Sequence, residues 1–148
     1  MKAKKGNSAP QKRFPIWMIG LVAIVLAVGA GIILSQRPNP ASVKLPAEIT
    51  VAQAVEKQKS GAFILDVREP SEWTQLHIQG ATLIPLGSLP NRLAEVPKDR
   101  PVVVVCRTGH RSAQGRDILL QAGYTQVTSM TGGLTEWQAQ GLPVATGN

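Results

Sequence analysis

Apolar positions along this chain fall into three regimes. Residues 14–34 form an unbroken run of 21 residues with no charge and no strongly polar side chain. Residues 35–46 (SQRPNPASVKLP) then hold three prolines and no periodicity, which reads as a linker. From residue 47 onward, short apolar runs alternate with amphipathic stretches. Thr50 is placed to cap a helix over 51–59 that carries Val51, Ala54 and Val55 on one face and stops before Gly61. FILDV at 63–67 reads as a buried strand. Ser71 and Glu72 open a short helix that includes Trp73 and Leu76, and residues 81–86 suggest a short strand ended by Pro85. A modest helix is expected over 88–96. The four valines 102–105 give the strongest strand signal, that of a central strand buried on both faces. Helix over 112–122, strand over 126–129 and helix over 134–140 complete the series. Strands alternating with helices predict an α/β domain whose parallel sheet is covered on both faces.

The chain thus divides into a basic tail (1–13), an apolar helix (14–34), a linker (35–46) and one domain (47–148). As a helix, the apolar segment would span about 30 Å, the thickness of a bilayer's hydrocarbon core. Five of the basic residues precede it, so the positive-inside rule puts the N-terminus in the cytoplasm and the domain on the exported side, periplasmic or extracellular. Ala27, Gly29 and Ala30 leave a cleaved signal peptide as the competing reading. Ile32, Ile33 and Leu34 extend the run past that point and favour a retained membrane anchor.

Charge refines this picture. The net charge of +7 sits in the first 44 residues, which hold seven Lys or Arg and no acid; from Leu45 onward nine bases meet nine acids. A neutral domain does not offer the basic face that tracks a phosphate backbone, so no nucleic-acid partner is expected. The one cysteine, Cys106, excludes an internal disulfide. One cysteine and two histidines offer no metal-ligand cluster.

Chemistry concentrates in VVVVCRTGHRS, residues 102–112. Cys106 follows the valine strand and precedes a helix, the place where open α/β sheets build ligand sites. Successive backbone amides and a helix N-terminus stabilise a thiolate there. Arg107 and Arg111 add positive charge for an anionic substrate, and Gly109 permits a tight loop. A cysteine phosphatase loop needs C-x5-R, but Ser112 stands where that arginine belongs. The spacing here is C-x4-R, and its shorter cradle suits a sulfane sulfur better than a phosphoryl group.

Three motifs in order, LDVREPSEWTQLHIQGATLIPL (65–86), CRTGHR (106–111) and GGLTEWQAQGLPV (132–144), resemble the rhodanese (thiosulfate sulfurtransferase) superfamily over nearly all of residues 47–144. Leu76 departs from the glycine that commonly precedes the His-Ile pair. The resemblance implies a five-stranded α/β domain with Cys106 at the base of a cradle formed by Arg107, Thr108, Gly109, His110 and Arg111. The thiolate would take a sulfane sulfur from a small anionic donor such as thiosulfate and pass it from a persulfide to cyanide or a thiol, on a small molecule or a protein, without metal or cofactor. Asp66 and Arg68 match the family's Asp-x-Arg and are expected to make supporting hydrogen bonds near the loop. His77, Trp73 and Trp137 read as structural, and His110 as a residue at the mouth. The competing functions are a persulfide carrier and a protein-binding module with little turnover.

Overall fold

The structure, a computed structural model, describes residues 44–147; the tail, the apolar segment 14–34 and most of the linker lie outside them. No helix among the described residues is long and apolar enough to cross a membrane. The elements run β1 (Glu48–Ile49), α1 (Val51–Lys59), β2 (Phe63–Asp66), α2 (Pro70–Gln75), β3 (His77–Ile78) and β4 (Thr82–Leu83). Two 3-10 turns (Leu89–Asn91 and Leu93–Glu95) follow, then β5 (Val102–Val105), α3 (His110–Gln121), β6 (Val127–Met130), α4 (Gly133–Ala139) and β7 (Val144–Ala145). A five-stranded sheet has the order β1-β6-β5-β2-β4, with every pairing parallel.

The central strand is the valine run. Val102 and Val104 pack into one core with Leu65, Leu119 and Tyr124, while Val103 and Val105 face the other with Ile64, Met130 and Trp137. Because side chains alternate across a strand, four consecutive valines fill both layers at once. All four are at most 1 % exposed, and each contributes about 1.5–3 kcal/mol by burial. Gly115 lets α3 lie close to this strand; a Cβ there would stand 3.1 Å from Val104 Cγ1 and 3.2 Å from Val67 Cγ1.

Thr50 caps α1 as expected, through a reciprocal capping box in which Thr50 Oγ1 accepts from the Gln53 amide and Gln53 Oε1 accepts from the Thr50 amide. The helix expected over 88–96 is instead the two 3-10 turns, closed by bonds such as Arg92 N–H to Leu89 O and Val96 N–H to Leu93 O, both 3.1 Å. Pro90 has no amide to donate, and the Tyr124 hydroxyl takes the Leu93 and Val96 carbonyls at 2.5 and 3.0 Å. Leu76 lies past the end of α2 in an extended conformation. The short strands β1, β3 and β7 have no counterpart in the sequence reading. β3 and β7 pair antiparallel in a separate ribbon, with Ile78 opposite Val144.

Candidate active site

Strand β5 ends at Val105, and the next residue, Cys106, is 1 % exposed. The chain then turns through Arg107 and Thr108 to Gly109, whose φ of +116° is a conformation that side chains strongly disfavour. That turn brings the Gly109 amide back onto the cysteine, with its nitrogen 3.1 Å from Cys106 Sγ. Helix α3 begins at His110, two residues earlier than expected, so His110 and Arg111 belong to its first turn. Ser112 is fully buried beneath them. Its Oγ lies 3.7 Å from Cys106 Sγ and donates to Gly109 O at 2.7 Å, tying the thiol to the turn.

Burial works against ionisation of Cys106. Hydrogen bonds from the Gly109, Ser112 and Thr108 amides, together with the Ser112 hydroxyl contact, outweigh it and hold the thiol below its ordinary pKa. The thiolate is therefore stabilised by oriented backbone dipoles at a helix N-terminus.

The two loop arginines differ in use. Arg107 is exposed and forms no ion pair with any described residue. Arg111, read from sequence as charge for an anionic substrate, instead places Nη1 and Nη2 on the Glu72 carboxylate at 2.7 and 2.8 Å. This two-point bond, made strong by charge on both sides, lowers the Glu72 pKa to about 2. Glu72 Oε2 also accepts from the Glu69 amide and so caps α2.

Asp66 and Arg68 form a second, fully enclosed pair near the loop. Arg68 Nη2 meets Asp66 Oδ2 at 2.7 Å and the Leu76 carbonyl at 2.7 Å, while its amide donates to Asp66 Oδ1. The two residues are 0 % and 4 % exposed. Arg68 thereby fixes the path from β2 through α2, and with it the position of Glu72. His77 stacks on Trp73 at 3.7 Å and shares a 3.0 Å hydrogen bond with the Trp73 carbonyl through Nδ1, so its ring is held as structure. Trp137 is buried and donates from Nε1 to Pro143 O at 3.0 Å.

One contact was not foreseen from sequence. The start of α4 grips the loop backbone: Leu134 N–H donates to Cys106 O at 2.9 Å, and Thr135 donates to Arg107 O from both its amide and its hydroxyl at 3.1 Å. Gly133, at φ +55°, makes this approach possible, since a Cβ would stand 2.5 Å from the Cys106 and Arg107 carbonyl oxygens. The signal was the paired glycine in GGLTEW. The roles of Glu72 and Ser112 carried no sequence signal beyond a helix start.

A groove of about 450 Å³ opens beside Arg107, between α2 and α4, and is lined in part by Glu72, Gln75, Thr135 and Gln138. On the other side of the loop a smaller hollow of about 260 Å³ is bordered by Glu48, Thr108, His110 and Thr131. Among the described residues no group of three or more His, Cys, Asp or Glu is placed to hold a metal ion.

A thiol in an amide cradle, at the carboxyl end of a central parallel strand, is the arrangement of proteins that use a cysteine thiolate as a nucleophile. More narrowly, the chain belongs to the rhodanese-like domain family, which it matches over residues 50–140. It is 42 % identical over 82 residues to a sulfurtransferase of Allochromatium vinosum, covering 55 % of this chain and 77 % of that one. It is 34 % identical over 86 residues to the thiosulfate sulfurtransferase GlpE of Stutzerimonas stutzeri, covering 58 % and 79 %. The crystal structure of a rhodanese-related protein from Thermoplasma volcanium superposes with a TM-score of 0.63 at 31 % identity, over 68 % of this chain and 98 % of the other. These relationships support sulfur transfer as the general chemistry of the domain.

Proposed function

We propose that this protein is a sulfurtransferase that works through a persulfide on Cys106, held at a membrane by residues 14–34 with its domain on the exported side. The carrying observation is the 3.1 Å approach of the Gly109 amide to Cys106 Sγ, in a cradle that favours the thiolate. The thiolate attacks the sulfane sulfur of a donor, and the donor's remaining group leaves with the electron pair of the broken bond. The same amides that hold the thiolate hold the terminal sulfur of the persulfide. A thiol or cyanide then attacks that sulfur and restores the thiolate, so the group moves in two covalent steps. Arg107, exposed at the mouth, attracts anionic partners. The membrane reading rests on the length and charge flanks of the apolar segment.

The test is the intact mass and turnover of the full chain with thiosulfate and cyanide, beside Cys106→Ala. Gain of one sulfur and release of thiocyanate by the wild type alone is the expected result. Loading without removal by cyanide would make the protein a persulfide carrier. Failure to load from any sulfane donor would remove the enzymatic reading altogether.

A further inference from the structure

We infer that Thr135, brought against the loop by Gly133, is a positioning residue for the sulfur-transfer site: by holding the Arg107 carbonyl it turns the Thr108 amide onto the sulfur of Cys106. The inference rests on the sulfur-transfer reading and gives α4 a part in the reaction as well as in stability.

The sheet brings the two segments together. Strands β5 and β6 are parallel neighbours, with Val104 opposite Ser129, so their carboxyl ends leave the sheet side by side. The cysteine loop follows one strand and α4 follows the other. Contact is close because residue 133 carries no side chain; a Cβ there would stand 2.5 Å from the Cys106 and Arg107 carbonyl oxygens. The first turn of a helix leaves its amides without partners inside the helix. Here they are spent on the loop. Leu134 N–H donates to Cys106 O at 2.9 Å, and Thr135 donates to Arg107 O from its amide and its hydroxyl, both at 3.1 Å.

Peptide geometry carries that hold to the far side of the loop. In a trans peptide the C=O and N–H lie in one plane and point in opposite directions. With Arg107 O drawn towards α4, the Thr108 N–H of the same peptide points away from α4, to the side of the turn that the thiol occupies. The Thr108 amide is one of the groups that hold the thiol below its ordinary pKa, beside the Gly109 amide at 3.1 Å. The side chains of Arg107 and Thr108 are exposed and do not supply this hold. Released from Thr135, the peptide is free to rotate and to present its carbonyl, the end of its dipole that repels a thiolate.

Amides aimed before the donor arrives stabilise charge on sulfur with no reorganisation during the reaction. The step they serve is the attack of the thiolate on a sulfane sulfur, in which the donor's remaining group leaves with the electron pair of the broken bond. Thr135 touches no reacting atom; it acts through the Arg107 carbonyl and the Thr108 amide.

The experiment uses the full chain, with 15N-labelled threonine and glycine, and two readouts that stability alone does not move. One is the pH midpoint of Cys106 alkylation by iodoacetamide. The other is the displacement of the Thr108 and Gly109 amide protons as Cys106 ionises. Gly133→Ala is expected to raise the midpoint by about half a pH unit or more, as a hydrogen bond to the thiolate is lost. Thr135→Val loses one exposed hydroxyl and is expected to show a smaller Thr108 displacement, with that of Gly109 kept. Thr50→Ala removes the cap of α1 and supplies a destabilised chain that should keep the wild-type midpoint and displacements. An unchanged Thr108 displacement in Thr135→Val overturns the proposal, whether or not Gly133→Ala folds. A midpoint that moves as far in Thr50→Ala as in Gly133→Ala overturns it too, because the midpoint then follows stability. Failure of the wild type to load from any sulfane donor removes the sulfur-transfer reading and leaves the aiming of Thr108 standing.

Discussion

Glu72 and Arg111, 39 positions apart in the chain, meet through two charge-assisted bonds of 2.7 and 2.8 Å that join helix α2 to the first turn of α3. The pair bridges the motif around Trp73 and the cysteine loop, so a change in either segment reaches the other through a few ångströms of ion pair. It also decides how much positive charge remains for a substrate.

Acid should weaken the fold through this pair. Because the Glu72 pKa is lowered from 4.5 to about 2, its contribution is complete above pH 4.5 and disappears as the pH falls towards 2. With the two side chains 27 % and 32 % exposed, about 2 kcal/mol is a reasonable size after solvent screening. Denaturant unfolding of wild type and Glu72→Gln at pH 7 and pH 3 should show a stability gap at neutrality that narrows in acid. A constant gap would exclude the ion pair as its source.

The thiolate should persist below the pH at which an ordinary thiol takes up its proton. Alkylation of Cys106 by iodoacetamide is expected to show its midpoint below the ordinary thiol range near 8.5. Ser112→Ala removes one hydroxyl beside the sulfur and should move the midpoint upward, leaving the fold in place. An unchanged midpoint would assign the whole effect to the amides.

The grip of α4 on the loop should be sensitive to a single methyl group. Gly133→Ala forces a Cβ to within 2.5 Å of the Cys106 and Arg107 carbonyl oxygens at a positive φ, so the loop must shift. Its melting temperature and its sulfur loading should both fall. Thr135→Val loses only the hydroxyl bond to Arg107 O, about 1 kcal/mol, and should load nearly as well. Wild-type loading in Gly133→Ala would separate this contact from the site.

Removing one member of the buried pair should cost more than removing both. Asp66→Ala leaves the Arg68 guanidinium enclosed without its carboxylate and should destabilise the domain by about 3–5 kcal/mol. Asp66→Asn with Arg68→Met should recover part of that loss in denaturant unfolding. If the double variant is no better than the single, the pair's geometry matters more than its charge.

Much of the fold was legible in order and type. The valine run, the capping threonine and the glycine-terminated helices are local signals, each set by a few neighbouring residues. The 3-10 turns at 89–95 were not legible, because the hydroxyl that holds their carbonyls belongs to Tyr124, far along the chain. Strands β1, β3 and β7, two residues each, are too short for any periodicity and exist only through their partners. At the site, the loop from Cys106 to Arg111 could be read by spacing, whereas the partner of Arg111 could not.

The sequence by itself determined that a single thiol follows a doubly buried valine strand and precedes a glycine and a helix. Those are short-range facts: alternation, backbone freedom and the amides that a helix start leaves unpaired. Tertiary structure alone decided which arginine stays open, which serine touches the sulfur and what holds the loop in place. Asp66, Glu72 and Gly133 lie on other elements, and a linear chain does not state which charges its folding brings within 3 Å.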